Sequence, residues 1–284
     1  MLEGRFAESD TDRHVARRAE LLDGDGGIPP LGPVKQWPVG TRPERVLPSI
    51  SDELADNGLA VADFDGPLPP DDFIGLGEQL GSVMQERDPT VQPRVYRGGL
   101  LNLVTEIGHT ADVAVQPFST TGLAMHTEAS GKPVAEQPRY IALMCLEPGD
   151  QDSSAQTVVV AMADIAARLS RDDLAVLEEL RYHRNTAGPF IARQEEGRTV
   201  LSFRDFCGDE LHWVHEGRSR SATEINDVLR RLLAAIYHPG SARVARWRRG
   251  RLVVLDNTRF MHGRTAGARE TGAIRRHLQR LRIN

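Results

Sequence analysis

Alternating apolar and polar positions are the main signal along this chain, and they predict strands over most of its C-terminal two thirds. The stretches at 139–146 and 156–161 are nearly all apolar and read as strands buried on both faces. Shorter stretches at about 100–105, 121–128 and Leu59–Phe64 read as further strands. Helical spacing is confined to a few segments. Asp71–Gln85 places Phe73, Leu76, Leu80 and Met84 on one side, and Asp52–Asn57 reads as a short helix. Two more helices open on capping boxes, Ser170-Arg171-Asp172-Asp173 and Ser221-Ala222-Thr223-Glu224. The second turns Leu229, Leu232, Leu233 and Ile236 inward and ends near Gly240. Arg243–Trp247 and Leu252–Asp256 read as a hairpin across Arg249-Gly250. Residues 1–45 have no sustained period and are rich in Gly and Pro, which predicts an arm that wraps the body or is partly mobile. The pattern is that of a β-rich α+β protein, with residues 46–284 forming one domain.

Composition narrows the class. The chain has 284 residues, enough for one large β-rich domain. No apolar run is long enough to span a membrane, and Met1-Leu2-Glu3-Gly4-Arg5 leads into charges instead of an apolar signal core, so a cytoplasmic protein is expected. A net charge of -5 gives no electrostatic case for nucleic acid. Cys145 and Cys207 are the only cysteines, too few for a disulfide framework or a thiolate metal site.

The chemistry concentrates at His126-Thr127-Glu128. On a strand, residues two apart share a face, so His126 and Glu128 can reach one metal ion while Thr127 points away. About one such pair arises by chance in a chain of this charge content, so a second signal is needed. His262 supplies it, within Asp256-Asn257-Thr258-Arg259-Phe260-Met261-His262-Gly263-Arg264. Two histidines and one carboxylate, with the remaining positions open, form the facial triad of non-haem iron(II) oxygenases.

These residues, with Arg276 fourteen positions beyond His262 and Arg280 four further on, resemble the clavaminate synthase-like branch of the iron(II)/2-oxoglutarate dioxygenases, which includes asparagine oxygenase and arginine hydroxylase. The resemblance covers roughly residues 90–284. It implies a jelly-roll, or double-stranded β-helix, core with flanking helices. It also implies iron(II) at His126, Glu128 and His262, with 2-oxoglutarate and O2 as cosubstrates. Arg276 would then bind the far carboxylate of 2-oxoglutarate, a task suited to a permanently charged bidentate donor, with Thr157 adding a hydroxyl. Arg280 would clamp the α-carboxylate of a free amino acid, arginine-like or related, whose amino group lies near Glu128. Gln116 and Asp205 fall where relatives make polar substrate contacts. The carboxylate of Glu128 argues against the halogenases of this superfamily, which carry a small residue there. Hydroxylation in specialised or antibiotic metabolism is the expected outcome. Desaturation, cyclisation or a carrier-bound substrate are the alternatives, and the N-terminal arm is a candidate lid.

Two rival readings belong to other classes. His212-Trp213-Val214-His215-Glu216 could hold zinc for a hydrolase, but the helical His-Glu-x-x-His order is absent, and strand alternation sends His212 and His215 to opposite faces. A jelly-roll binding protein without catalysis would need neither the triad nor both arginines.

Overall fold

The computed structural model describes residues 1–23, 27–32, 34–38, 41–106, 108, 110, 112–149, 155–182, 188–217, 219–267 and 275–284. Among them the fold is mixed and strand-rich, with six helices. In chain order the elements are β1 (Leu2–Phe6), α1 (Arg13–Asp23), β2 (Lys35–Trp37), α2 (Pro43–Asn57), β3 (Leu59–Phe64), α3 (Pro70–Leu80), β4 (Val95–Tyr96), β5 (Leu100–Val104), β6 (Leu123–His126), β7 (Tyr140–Glu147), β8 (Thr157–Ala161), α4 (Met162–Ala166), α5 (Arg171–Leu177), β9 (Leu180–Tyr182), β10 (Ala192–Glu195), β11 (Arg198–Leu201), β12 (Leu211–His215), α6 (Ala222–Ile236), β13 (Ala242–Ala245), β14 (Arg251–Asp256), β15 (Phe260–Arg264) and β16 (His277–Ile283).

Two sheets make the body. The larger runs β2-β3-β14-β7-β16-β5-β4 and the smaller β13-β8-β15-β6. Period-two alternation divides their side chains between separate cores. In β7, Ile141, Leu143 and Cys145 join Val253 and Leu255 of β14 and Val159 of β8 in a layer shared by both sheets. The intervening Ala142 and Met144 turn outward, with Leu252 and Val254, onto Val46, Ile50 and Leu54 of α2 and Phe73 and Leu76 of α3. On the far side of the smaller sheet, Val158, Val160 and Met261 pack on α6 through Leu229, Leu232, Leu233 and Ile236, the four residues expected to face inward. Both expected capping boxes form, Ser170 with Asp173 and Ser221 with Glu224.

Three elements depart from the sequence reading. The short helix at 52–57 is the end of α2, which starts at Pro43 and contains Pro48. Proline in the first turn forfeits no helical hydrogen bond, and the stripe Val46, Ile50, Leu54 sustains the helix past Pro48. The helix expected to reach Gln85 stops at Leu80. Beyond it, Ser82 and Met84 donate backbone hydrogen bonds to Asn284 and Arg282 at 2.7 and 2.8 Å, so Met84 lies along β16 instead of on a helical face. The expected hairpin has its turn, with Gly250 at φ 82°, but its strands part: β13 pairs with β8, whereas β14 pairs with β3 and β7. Leu252 to Leu255 are each at most 1% exposed, and only a position inside the larger sheet covers such a strand on both faces. In the stretch expected to be an arm, the described residues include β1, α1 and β2. β1 pairs with β12, which pairs with β9, and Gly4 lies so close to the Trp213 ring that a Cβ there would overlap it.

Candidate active site

β15 and β6 run antiparallel with His262 opposite His126, so two residues 136 positions apart become cross-strand neighbours on one face. Their ring centroids are 4.3 Å apart. Glu128 lies two residues past the end of β6, so its position is set by hydrogen bonds instead of strand alternation. Asn257 supplies them: its Oδ1 accepts from the Glu128 amide at 2.8 Å, and its Nδ2 donates to the Glu128 carbonyl at 3.2 Å and the Pro138 carbonyl at 3.0 Å. One ligand atom from each of His126, Glu128 and His262 lies within 4.8 Å of the others.

Burial and charge set the protonation of this cluster. Burial pulls the His126 imidazole down to about 4 and the His262 imidazole to about 3, so both are neutral at physiological pH. Burial pushes the Glu128 carboxyl up, but Arg280 and its other cationic neighbours outweigh it and hold the group at about 2. His126 Nδ1 lies 2.8 Å from the Ala124 carbonyl and therefore carries the proton, which leaves the Nε2 lone pair free. Two neutral imidazoles and an ionised carboxylate are the donor forms a divalent metal requires.

The cluster opens into a cavity of about 1750 Å³ between the sheets. Arg276, Leu278, Arg280 and Arg282 line one wall, the even-numbered residues of β16 and its approach. Arg280 Nη1 is 3.0 Å from Glu128 Oε1, and Arg282 is 3.8 Å from the same oxygen. Glu128 Oε2 is left facing His262 Nε2 at 3.8 Å. Glu86 completes the group, 2.7 Å from Arg282 and 3.6 Å from Arg280. Arg276 is 2% exposed and lines the same cavity as Thr157 on β8. Arg264 stands opposite Thr157 in register, and its guanidinium donates to the carbonyls of Pro117, Gln116 and Thr121 at 2.6, 3.1 and 2.8 Å. Burial and the neighbouring Arg276 charge pull the Arg264 pKa well down.

Two expected substrate contacts are placed differently. Asp205 is 3% exposed and off the cavity wall: both its oxygens are within 3.0 Å of Arg18 Nη1, and Oδ2 accepts from the Tyr237 hydroxyl at 2.5 Å. Its charge is spent on fixing α1 to the smaller sheet. Gln116 is held at the side of the site, its Oε1 accepting from Arg204. His212 and His215 lie on β12; His212 is exposed, and the His215 ring is buried beside Glu179 at 3.4 Å. They form no metal cluster among the described residues.

Sequence reasoning missed Glu86, Asn257, Arg204 and Arg282 as site residues. Arg282 was within reach, two positions after Arg280 on the same strand. Asn257 stood in the quoted motif without a role, and nothing in the sequence marks Glu86.

Residues 42–282 match the taurine catabolism dioxygenase TauD, TfdA family. No curated protein matches the chain. Among solved structures the fold is similar to PvcB from Pseudomonas aeruginosa, with TM-score 0.64 and 21% identity over 93% of this chain and 90% of that one. PvcB is described as an Fe, alpha-ketoglutarate dependent oxygenase from an isonitrile synthetic pathway. Asparagine oxygenase in complex with Fe(II), 2S,3S-3-hydroxyasparagine and succinate aligns with TM-score 0.62 and 17% identity over 84% and 79% of the two chains. A mutant of the non-heme iron oxygenase OrfP in complex with (3S)-hydroxy-L-Arg aligns with TM-score 0.63 and 17% identity over 89% and 94%. At such identities these neighbours show a shared fold, whereas the family match spans most of the sequence. The chain belongs to the TauD, TfdA family and is an iron(II)- and 2-oxoglutarate-dependent dioxygenase.

Proposed function

We propose that this enzyme hydroxylates an unactivated C–H bond of a free amino acid or a close relative of one, as a cytoplasmic step of specialised metabolism. His126, Glu128 and His262 hold iron(II), Arg276 and Thr157 receive the far carboxylate of 2-oxoglutarate, and Arg280 faces the substrate carboxylate. The two facing sheets are the halves of a jelly-roll core, within a single oxygenase domain over residues 46–284. The observation that carries this reading is the meeting, in one cavity, of a His-Glu-His cluster with Arg276, Thr157 and Arg280 on its walls. The complexes of two structural neighbours with hydroxyasparagine and hydroxyarginine support the amino-acid class.

When bound, iron with 2-oxoglutarate and O2 supplies the oxidising power for C–H hydroxylation. The protein's residues set what surrounds that chemistry. Asn257 fixes the Glu128 backbone, while Arg280 and Arg282 hold Oε1 and leave Oε2 toward His262, which favours one-oxygen ligation. The Ala124 carbonyl fixes the His126 tautomer. Leu143 and Leu278 are apolar positions of the wall, and in such surroundings a guanidinium–carboxylate pair is stronger than in water. The test is succinate release from iron(II), 2-oxoglutarate and O2 across a panel of free amino acids, with products read by mass. Stimulation by one member with a gain of one oxygen is the expected result. Binding of iron and 2-oxoglutarate with no stimulation by any amino acid would remove the amino-acid assignment.

A further inference from the structure

Arg204 was not expected at the site, and its place follows from sheet register. The Thr127 amide donates to the Phe203 carbonyl at 2.9 Å and the Asp205 amide to the Met125 carbonyl at 3.1 Å, so residues 203–205 extend the smaller sheet beyond β6. In that extension Arg204 stands opposite His126. Val159, His262, His126 and Arg204 thus form one cross-strand row, and residues directly opposite each other share a face. Arg204 is half-buried and lines the cavity, whereas Asp205, one residue on, turns to the other face.

Charge bookkeeping gives this position its meaning. Arg280 and Arg282 are balanced by Glu86 and Glu128, two cations against two anions. An amino-acid zwitterion arriving at Arg280 adds one charge of each sign and keeps that balance. Arg276, with Thr157, is matched to 2-oxoglutarate at the opposite end of the row. Three strand spacings, roughly 14 Å, separate β8 from residues 203–205, so Arg204 does not serve that same carboxylate. Arg204 itself has no carboxylate within ion-pair distance among the described residues, and its guanidinium donates only to the neutral Gln116 Oε1. Arg204 is also close enough to His126 for its charge to disfavour the imidazolium. Three other acidic groups open to the cavity without a guanidinium of its walls: Glu136 and Glu210 are exposed at its rim, and Asp88 is half-buried and accepts from the Thr90 amide at 2.9 Å.

We infer that Arg204 is a specificity-determining residue that receives a carboxylate at the far end of the substrate, so that the substrate is an acidic amino acid and not one with a cationic side chain. This rests on the oxygenase reading given above. A half-buried guanidinium forms strong charge-assisted bonds with a carboxylate and weaker ones with an amide.

The experiment is an oxygen-free calorimetric titration of the enzyme, loaded with iron(II) and 2-oxoglutarate, using L-aspartate, L-asparagine, L-glutamate, L-glutamine and L-arginine. At least one acid should bind about tenfold or more tightly than its own amide. Arg204→Gln should bring that ratio to about one, and Arg204→Lys should keep part of it. Equal or tighter binding of the amides, preference for L-arginine, or no binding of either acid at about 10 mM, where a site with a Kd of about 1 mM would be mostly filled, would overturn the inference while leaving the oxygenase reading intact. If Arg204 only braces the Gln116 turn, Arg204→Gln weakens acid and amide alike and the ratio survives, which also overturns it. Should Arg204→Gln not fold, the wild-type ratio and its partial loss in Arg204→Lys still decide the matter. Absence of a 2-oxoglutarate binding signal in the iron-loaded enzyme would overturn the oxygenase reading, and this inference with it.

Discussion

Two groups of arginines and carboxylates lie on opposite faces of the smaller sheet, built from the same residue types and put to different uses. On the outer face, Arg18 bridges Glu8 and Asp205, with His14 2.9 Å from Glu8 and Tyr237 on Asp205, all against the apolar core beneath α6. Burial pushes the Glu8 carboxyl up, but His14 and Arg18 outweigh it and hold the group at about 2. On the inner face, Arg280, Arg282, Glu86 and Glu128 line a cavity, and one Glu128 oxygen is turned toward His262. The outer group is closed: its charges are paired with each other and fasten the N-terminal helix to the sheet. The inner group is open to solvent space and to two neutral imidazoles, so its charges can be shared with a ligand. Residue type does not separate structural from functional ion pairs here; the neighbouring space and donors do.

The largest expected effect falls on the inner face. His126→Ala or His262→Ala should lower succinate release by about a thousandfold or more, because each removes one of three protein donors, and should lower iron stoichiometry in parallel. Near-normal iron content in both variants would break the assignment of that group as the metal site. On the outer face, Arg18→Met leaves Glu8 and Asp205 buried without their cation. The expected cost is about 3–5 kcal/mol of stability by chemical denaturation. A loss below about 1 kcal/mol would show that the outer group is not the fastening described.

Arg276→Ala should raise the 2-oxoglutarate KM by about ten- to a hundredfold with a smaller change in kcat, the loss of one charge-assisted bidentate contact. An unchanged KM would detach Arg276 from the cosubstrate. Asn257→Ala should weaken iron affinity by about tenfold, the lower range for a residue that orients a ligand. Iron titration of the folded variant reads this directly, and no change would mean that Arg280 alone positions Glu128.

A further effect is one of pH. The two imidazoles take up protons near 6.5 when unfolded but only at about 4 and 3 when folded, so acidification from 6.5 favours the unfolded metal-free protein. The stability these groups contribute is fully present above pH 6.5 and is lost as pH falls toward 3. Glu128, held at about 2 against an ordinary 4.5, adds a loss in the same direction below 4.5. Denaturation of metal-free enzyme at pH 7.5, 6 and 5 should show this decline. His262→Ala, with one such group removed, should decline less steeply, and an equal slope would place the burial penalty elsewhere.

Much of the fold was legible because its signals are local. The capping boxes at Ser170 and Ser221 and the inward stripe of α6 needed only neighbouring residues. α2 was shortened in the reading because its prolines look like breakers until Val46, Ile50 and Leu54 have a sheet to pack on. The 83–85 stretch was read as helix because Met84 continues the helical spacing of Phe73, Leu76 and Leu80, and its pairing with β16 depends on residues some two hundred positions away.

By itself, the sequence determined which donors could meet a metal, through the His-Thr-Glu and His262 segments, and that Arg276 and Arg280, four apart, would share a strand face, which are matters of residue type and local periodicity; that these two arginines bind carboxylates was implied by the family resemblance. Tertiary structure alone decided that His126 and His262 are cross-strand partners, that Glu128 is held by Asn257 instead of by strand alternation, and that Glu86 joins Arg282. It also decided that Arg204 enters the cavity while Asp205 is sealed on the other face. The physical reason is parity: in a strand a one-residue difference in register exchanges the two faces, and register is fixed by partners far away in the chain.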